Sequence, residues 1–465
     1  MSTLIAISGL GIASLLLEIL NLRKILIPVV LIGLIAILGM TVTEFYLGES
    51  FINADKYNMI VPTAFSQGFS ILFIILAVLI IAMSPKFYQE KLTKIADFVA
   101  LKIFLLAGAV AMVSFGNFVM FFLGLEVLSI VSYTLAASEP KKLKSNEAGM
   151  KYFIMGAFAS SFIVFGLAMI YGATASFDIF EVTTASVTQS ANGTLPIWFN
   201  IGFVMVTVGM MFKASIAPFH FWSPDVYEGS PTLVTAMMST LVKVAAIGAL
   251  YKILTILAAG LTPTYQIILV VLTILTLTVG NVTAVKQRNI KRMMAYSGIS
   301  HTGFMMMAFL AVGASANAVL YYAAAYSLAG IAAFAVIMGV CRGKDNEDME
   351  NFFGLMKRQP ILTVVLICAL LSLGGIPIFA GFFAKFVVFG HALQAGYLVV
   401  VIFGIINSVI AIFYYLGVAN IMITKESATT EPLRVPFEYK AVAVIAISLN
   451  ILLGIFPSLI MGLNL

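Results

Sequence analysis

The sequence predicts an all-α membrane protein of about fourteen transmembrane helices, and three observations carry that prediction. Of the 465 residues, 62% are hydrophobic and 10% charged, against roughly 25% charged in a soluble domain. Apolar runs of about the 20 residues that a bilayer demands of a helix recur along the whole chain. Basic residues collect in every second connection, as they do in loops retained on the cytoplasmic side.

The candidate spans fall at about 2–22, 24–46, 60–83, 95–114, 117–137, 148–172, 197–219, 231–255, 264–286, 292–312, 316–341, 360–390, 396–421 and 439–462. The first carries Glu18 and lacks a basic leader, so it reads as a span and not as a cleaved signal. Arg23 and Lys24 follow span 1, Lys86, Lys91 and Lys94 follow span 3, and Lys141, Lys142 and Lys144 follow span 5. Lys286, Arg288, Lys291 and Arg292 join spans 9 and 10; Arg342, Lys344, Lys357 and Arg358 join 11 and 12; Lys425, Arg434 and Lys440 join 13 and 14. The opposite connections carry almost nothing basic beyond Lys56. The odd-numbered exits are therefore expected in the cytoplasm, with both termini on the outer, periplasmic side of a bacterial plasma (inner) membrane.

Two spans look broken. GMMFKASIAPFHFWSPDVYEGSP places Pro218, Pro224 and Pro231 beside His220 and Asp225, and LSLGGIPIFAGFFAKFVVF places Gly374, Gly375, Pro377 and Gly381 in one apolar stretch. Unwound backbone at membrane depth is tolerated only where protein or a watery cavity surrounds it. Spans 7 and 12 are five helices apart, so a five-helix repeat, spans 4–8 then 9–13, makes them equivalent. An odd repeat unit forces its two copies into opposite orientations, the arrangement that frames central ion sites. The chain then divides into N-terminal helices (1–94), a first repeat (95–255), a second repeat (256–421) and a C-terminal helix (422–465).

Lys213, Lys243 and Lys385 each lie inside an apolar stretch, and Glu126 lies in FFLGLEVLSIVSY. A charge at the bilayer centre costs at least about 2.5–3.5 kcal/mol, so such groups mark pathways for ions or protons. A lysine in a low-dielectric site loses affinity for its proton, and an approaching carboxylate restores it. Glu126 is the expected modulator with Lys213 as its partner, Lys243 the central carrier, and Lys385 the carrier of the second half. His220 and His301 are possible relays, since imidazole titrates near neutral pH. The plainer readings are a static Glu126–Lys213 pair, a snorkelling Lys385, a His220 that bonds freed backbone, and a core His301. Glu18 has no obvious partner and is expected at a subunit contact or a membrane interface. Lys102 and Lys151 are expected to snorkel, and Tyr414 and Tyr415 to pack.

The residues also bear on other classes. Cys341 and Cys368 cannot make a metal cluster and read as small core residues. There is no Walker loop, paired CxxC or HExxH, and no soluble domain to hold a nucleotide or flavin. No cofactor, metal or nucleic acid is expected on this chain. A stand-alone solute carrier stays open, but it calls for a polar substrate cavity with aromatic or charged specificity residues, whereas these buried charges are lysine-rich; a purely structural scaffold is the least expected reading, because buried lysines are costly for packing alone.

The run FKASIAPFHFWSPDVYEGSPT, with GLEVLS around Glu126, the lysine of span 8, and LSLGGIP followed by GFFAK, resembles the antiporter-like subunits of respiratory complex I. The resemblance extends from about Glu18 to Tyr415. Residues 147–176, the length, the missing lateral helix and a lysine at 385 all point to one branch of that family. The resemblance implies proton-transfer roles for Glu126, Lys213, Lys243 and Lys385, and places His220 in a PFHxW motif, His301 in an SxxxHxG motif and Lys151 at a KY position. It further implies lipid, protons, other antiporter-like subunits and small helical subunits as partners. NADH, FMN, iron–sulfur clusters and quinone would then belong to other subunits of a proton-pumping NADH–quinone oxidoreductase. A subunit of a multisubunit cation/proton antiporter or of a membrane-bound hydrogenase shares the lysine pattern and is the alternative.

Overall fold

A computed structural model describes every residue except 53, 54, 56, 90–94, 259–261, 312–314, 345, 428–430 and 465, and the side chain of Gln89. Lys56, Lys91 and Lys94, which bear on the orientation, therefore lie outside the described residues. The helices are α1 (Ser2–Ile19), α2 (Arg23–Leu47), α3 (Ala64–Gln89), α4 (Ile95–Ser114), α5 (Phe118–Ala136), α6 (Leu143–Thr174), α7 (Ile179–Ala191), α8 (Ile197–Lys213) and α9 (Trp222–Gly229). Then come α10 (Thr232–Ile256), α11 (Pro263–Ala284), α12 (Ile290–Met306), α13 (Ala316–Val340), α14 (Pro360–Gly374), α15 (Ala380–Gln394), α16 (Leu398–Thr424) and α17 (Phe437–Ile455). No strand forms among the described residues; isolated bridges such as Asn117 to Asp178 only pin loops.

Among the described residues, eleven helices are long and apolar enough to cross a membrane, and α8 and α14 are shorter apolar helices. Their burial is graded. Helices α10 and α13 are wholly enclosed by the rest of the chain, whereas α1 and α2 expose most of their surface. Small residues let the backbones meet: a Cβ on Gly108 of α4 would press on the Gly124 carbonyl of α5, and one on Gly166 of α6 on the Gly202 carbonyl of α8. Without a hydrophobic drive between helices in lipid, such close backbone packing is what holds a bundle together.

Both expected breaks are present. Helix α8 stops at Lys213, Ser215 turns to φ +59°, and Pro218 has no N–H to continue a helix. The freed backbone groups are met by neighbours. Trp222 Nε1 donates to the Phe212 carbonyl at 2.9 Å, Thr302 Oγ1 to the Ala214 carbonyl at 3.1 Å, and the Ala217 N–H to Thr276 Oγ1 at 3.1 Å. Helix α14 ends where Gly375 turns left-handed at φ +88°, and the Ile376 N–H closes back on the Leu371 carbonyl at 3.0 Å, a glycine-terminated helix end.

The structure adds what the apolar pattern does not announce. Helix α7 is new, because FDIFEVTTASVTQSA is rich in Ser and Thr and has no apolar run; Asp178 caps it, accepting from the N–H groups of Phe180 and Glu181. The pattern extends the seventh span to 219, but the helix ends at Lys213; it extends the last to 462, but that helix ends at Ile455, ahead of Pro457. Glu18, without an obvious partner in the sequence, pairs with Arg23. Lys102 does not snorkel: it is buried, donates to Ser84 Oγ at 3.0 Å and lies 4.4 Å from the Tyr88 ring centre.

Candidate functional site

Lys213 occupies the last position of α8, where the helix C-terminus presents the negative end of its dipole. Its ammonium donates to Ser129 Oγ at 2.7 Å and Tyr133 Oη at 2.8 Å, both on α5. Glu126, Ser129 and Tyr133 stand three and four residues apart and so share a helix face. The expected direct pair of Glu126 with Lys213 is open. Glu126 lies one turn from the hydroxyls, half-buried, within electrostatic reach of Lys213, and its Oε1 has no hydrogen-bond partner among the described residues. The lysine rests on two neutral hydroxyls in place of the carboxylate expected from the sequence.

Lys243 has no such support. It is 1% exposed on the enclosed helix α10, and its Nζ has no hydrogen-bond partner among the described residues. A π-helical turn, Met238–Val242, immediately precedes it; such turns inside α-helices gather at functional sites. Its ammonium lies 5.7 Å from the Tyr227 ring centre, and it shares with Tyr326 Oη the space beside Gly298, each 2.8 Å from where a Cβ would stand. Gly298→Ala should therefore displace the Lys243 ammonium without disturbing backbone. Misplacement by an ångström can slow transfer by up to about 10²-fold; the check is proton translocation beside unchanged assembly.

From Lys243 a polar cluster continues through α12. The His301 ring is 5.0 Å from the Tyr326 ring. His301 Nδ1 is 2.9 Å from Tyr322 Oη, its Nε2 is 3.3 Å from Tyr415 Oη, and Tyr415 Oη is 2.5 Å from Ser297 Oγ. Tyr414 Oη donates to Asn281 Oδ1 at 3.2 Å, and Asn281 Nδ2 donates to Asn407 Oδ1 at 3.2 Å. Tyr414 and Tyr415 thus do more than the packing expected of them; they are buried members of this hydrogen-bonded cluster. Between Lys213 and Lys243 stands an aromatic wall instead: Tyr133 on Tyr152 at 4.7 Å, Tyr152 stacked on Trp222 at 4.4 Å, and Trp222 near Tyr227 at 6.2 Å.

Lys385 is 5% exposed on α15 and does not snorkel; it reaches back to the break, donating to the Gly374 carbonyl at 2.8 Å. That carbonyl ends α14, so here too a half-helix C-terminus holds an ammonium. His220, also buried, lies within the first break, and its Nδ1 has no hydrogen-bond partner among the described residues. Thus Lys213, Lys243, His301 and Lys385 fall along one interior, with His220 at its edge.

Two further groups carry no clear signal in the sequence. Lys252 is buried on α10 and donates to the carbonyls of Val113 and Phe115 at 3.1 and 2.6 Å, at the end of α4. Near the loop end, Lys151 pairs with Glu147 at 2.6 Å and Asp225 at 2.9 Å, Arg292 with Asp225 at 2.7 Å and Glu228 at 3.2 Å, and Lys144 with Glu228 at 3.0 Å. These side chains surround a cavity of about 200 Å³ and tie α6, α9 and α12 together. Acidic residues at the second half of the broken helix opposite a basic loop are the available clue. Cys341 and Cys368 are free and half-buried.

The broken helices and the lysines at and between them define a class, the antiporter-like membrane subunits. The family model described as NADH:quinone oxidoreductase/Mrp antiporter, TM, matches residues 116–411. NADH-quinone oxidoreductase subunit N of Flavobacterium johnsoniae is 53% identical over 470 residues, and that of Cytophaga hutchinsonii 40% over 472, each alignment covering 100% of both chains. A chain of respiratory complex I from Thermus thermophilus, solved with bound aureothin, superposes with a TM-score of 0.83 at 30% identity, covering 99% of this chain and 98% of that one. A chain of the Mrp complex from a Dietzia species reaches 0.86 at 20% identity, covering 98% and 95%, and shares the fold. The present chain belongs to the family of NADH-quinone oxidoreductase subunit N.

Proposed function

We propose that this chain carries protons across the membrane as the N-type subunit in the membrane arm of a proton-pumping NADH–quinone oxidoreductase. The observation that carries the reading is Lys243: an enclosed ammonium with no hydrogen-bond partner among the described residues, set between a lysine held by hydroxyls and a lysine held by a helix end. A group so poorly satisfied is costly as a structural element and well suited to gain and lose a proton. Glu126 modulates Lys213, Lys243 carries the proton centrally, His301 relays it, and Lys385 receives it. His220 is a possible second relay within the first break. Quinone reduction elsewhere in the assembly changes the field in the membrane arm, which closes or opens the Glu126–Lys213 pair and so changes the proton affinity of Lys243.

The proposal includes fourteen crossings, with α4–α10 and α11–α16 as inverted repeats, the segments 1–94 and 422–465 flanking them, and both termini on the outer side. NADH, FMN, iron–sulfur clusters and quinone belong to other subunits; the partners here are further antiporter-like subunits, small helical subunits and lipid. The broken half-helices support the repeat, since each brings a C-terminus to a lysine.

Tagging the chain, extracting it in mild detergent and staining native gels for NADH activity tests the assembly. Co-migration with a large NADH-oxidising complex is the expected result. Recovery with small antiporter subunits and no NADH activity would move the function to cation/proton exchange. Within the complex, Lys213→Ala and Glu126→Ala are each expected to lower proton pumping and, through coupling, quinone reduction; full turnover and pumping in both would remove them from the route.

A further inference from the structure

The polar cluster around Lys243 does not run through to Lys385. Its hydrogen-bonded members, Tyr322, His301, Tyr415 and Ser297, follow one another at 2.9, 3.3 and 2.5 Å. The hydrogen bond of the Lys385 ammonium goes the other way, to the Gly374 carbonyl, which has no proton to give or pass on. Between the two stands Phe304. It follows His301 by three residues on α12, so the two side chains share a face one turn apart. Its ring is fully buried, 6.1 Å from the His301 ring, 4.6 Å from Lys385 Nζ, nearly parallel to Tyr322 at 6.5 Å and packed on Phe389 at 6.0 Å.

We propose that Phe304 is a gate: its ring interrupts proton transfer between the His301 cluster and Lys385, and its displacement opens that step. The inference deepens the proton-carrying role proposed above and rests on it. Proton transfer needs hydrogen-bond reach, about 2.6–3.2 Å or one intervening water, and a phenyl ring supplies neither donor nor acceptor. Both Lys243 and Lys385 lie within electrostatic reach of His301. A gate at this place holds a proton on the His301 cluster until the ring moves, which keeps a pump from running backwards as a leak.

The test uses the assembled complex in proteoliposomes, with assembly verified by native electrophoresis and NADH staining. Two quantities are read: passive proton permeability after an acid pulse without NADH, and protons moved per NADH oxidised. F304A removes the ring. F304Y keeps the ring and its packing and adds a hydroxyl at the interruption, and it carries the test alone if F304A fails to assemble. Both are expected to raise passive permeability several-fold and to lower protons per NADH while NADH oxidation continues. F304L, apolar and bulky, is expected to remain tight. Adding K385M to the leaking variant should close the leak.

A ring that merely solvates the Lys385 ammonium predicts the opposite pattern, with F304L slowing turnover and F304Y silent. Tight vesicles with an unchanged proton yield in F304A and F304Y overturn the gate, as does a leak that persists with K385M. Lys243→Met separates the two readings. Pumping that survives in Lys243→Met sinks the proton-carrying role itself. Loss of pumping in Lys243→Met, together with tight F304A and F304Y, sinks the gate alone.

Discussion

Lys243→Met is expected to abolish proton translocation and to leave the subunit at least as stable as the unaltered chain. The sign of the second effect follows from the site. A lysine kept for structure has partners, and its loss strands them. The Lys243 amine has no hydrogen-bond partner among the described residues, on a helix wholly enclosed by protein, so replacing it with an apolar side chain of similar length relieves the cost of an unsatisfied buried polar group, about 1–3 kcal/mol. Gain of stability with loss of activity marks a functional group held at a structural cost. Lys252, on the same helix, is the internal contrast. Its ammonium satisfies two carbonyls at the end of α4, so Lys252→Met should destabilise by about 1–3 kcal/mol. Thermal unfolding of the purified complex, read beside proton pumping in proteoliposomes, checks both. A Lys243→Met complex that pumps normally, or one that falls apart, would contradict this account.

Gly381→Ala is expected to prevent the subunit from assembling. Gly381 opens α15 after the second break, where its N–H donates to Ser372 Oγ at 3.3 Å. A Cβ there would overlap the carbonyl oxygen of Ser372, and what it meets is backbone that cannot rotate away. Overpacking of flexible side chains costs about 1–3 kcal/mol, and a clash with fixed backbone exceeds that range. The strain would spread to the Ser372–Asn450 contact at 2.8 Å and to the Gly374 carbonyl that holds Lys385. Gly390, further along the same helix, has open space where a Cβ would stand, with nothing within 4 Å. Gly390→Ala should therefore be neutral or stabilising by about 0.5–1 kcal/mol, the ordinary preference for alanine in a helix. The amount of complex on native gels separates the two, and normal levels for Gly381→Ala would refute the close approach.

Much of the fold is legible in the sequence because a membrane makes a blunt demand. A helix must be apolar for about 20 residues, and backbone can unwind only where something else satisfies it. Pro218 and the Gly374–Gly375–Pro377 run therefore announce their breaks, and an apolar context around Lys213, Lys243 and Lys385 announces their burial. Helix α7 stays hidden because its length, its Ser and Thr content and its position outside the apolar runs resemble a loop.

The site is legible only as a set of charges. Spans, breaks and misplaced lysines follow from composition and order along the chain, since the transfer cost of each residue into lipid depends mainly on the residue itself. Which group answers each charge depends on how helices far apart in the chain are rotated against one another. Ser129 and Tyr133 are indistinguishable in the sequence from hydroxyls that bond their own helix, and Tyr415 reads as packing until α16 is set against α12. Only the tertiary structure decided that Lys213 rests on hydroxyls with Glu126 held back, that Lys243 has no hydrogen bond to rest on among the described residues, and that a phenyl ring stands before Lys385. Those outcomes are differences of a few ångströms between side chains, and no one-dimensional pattern encodes them.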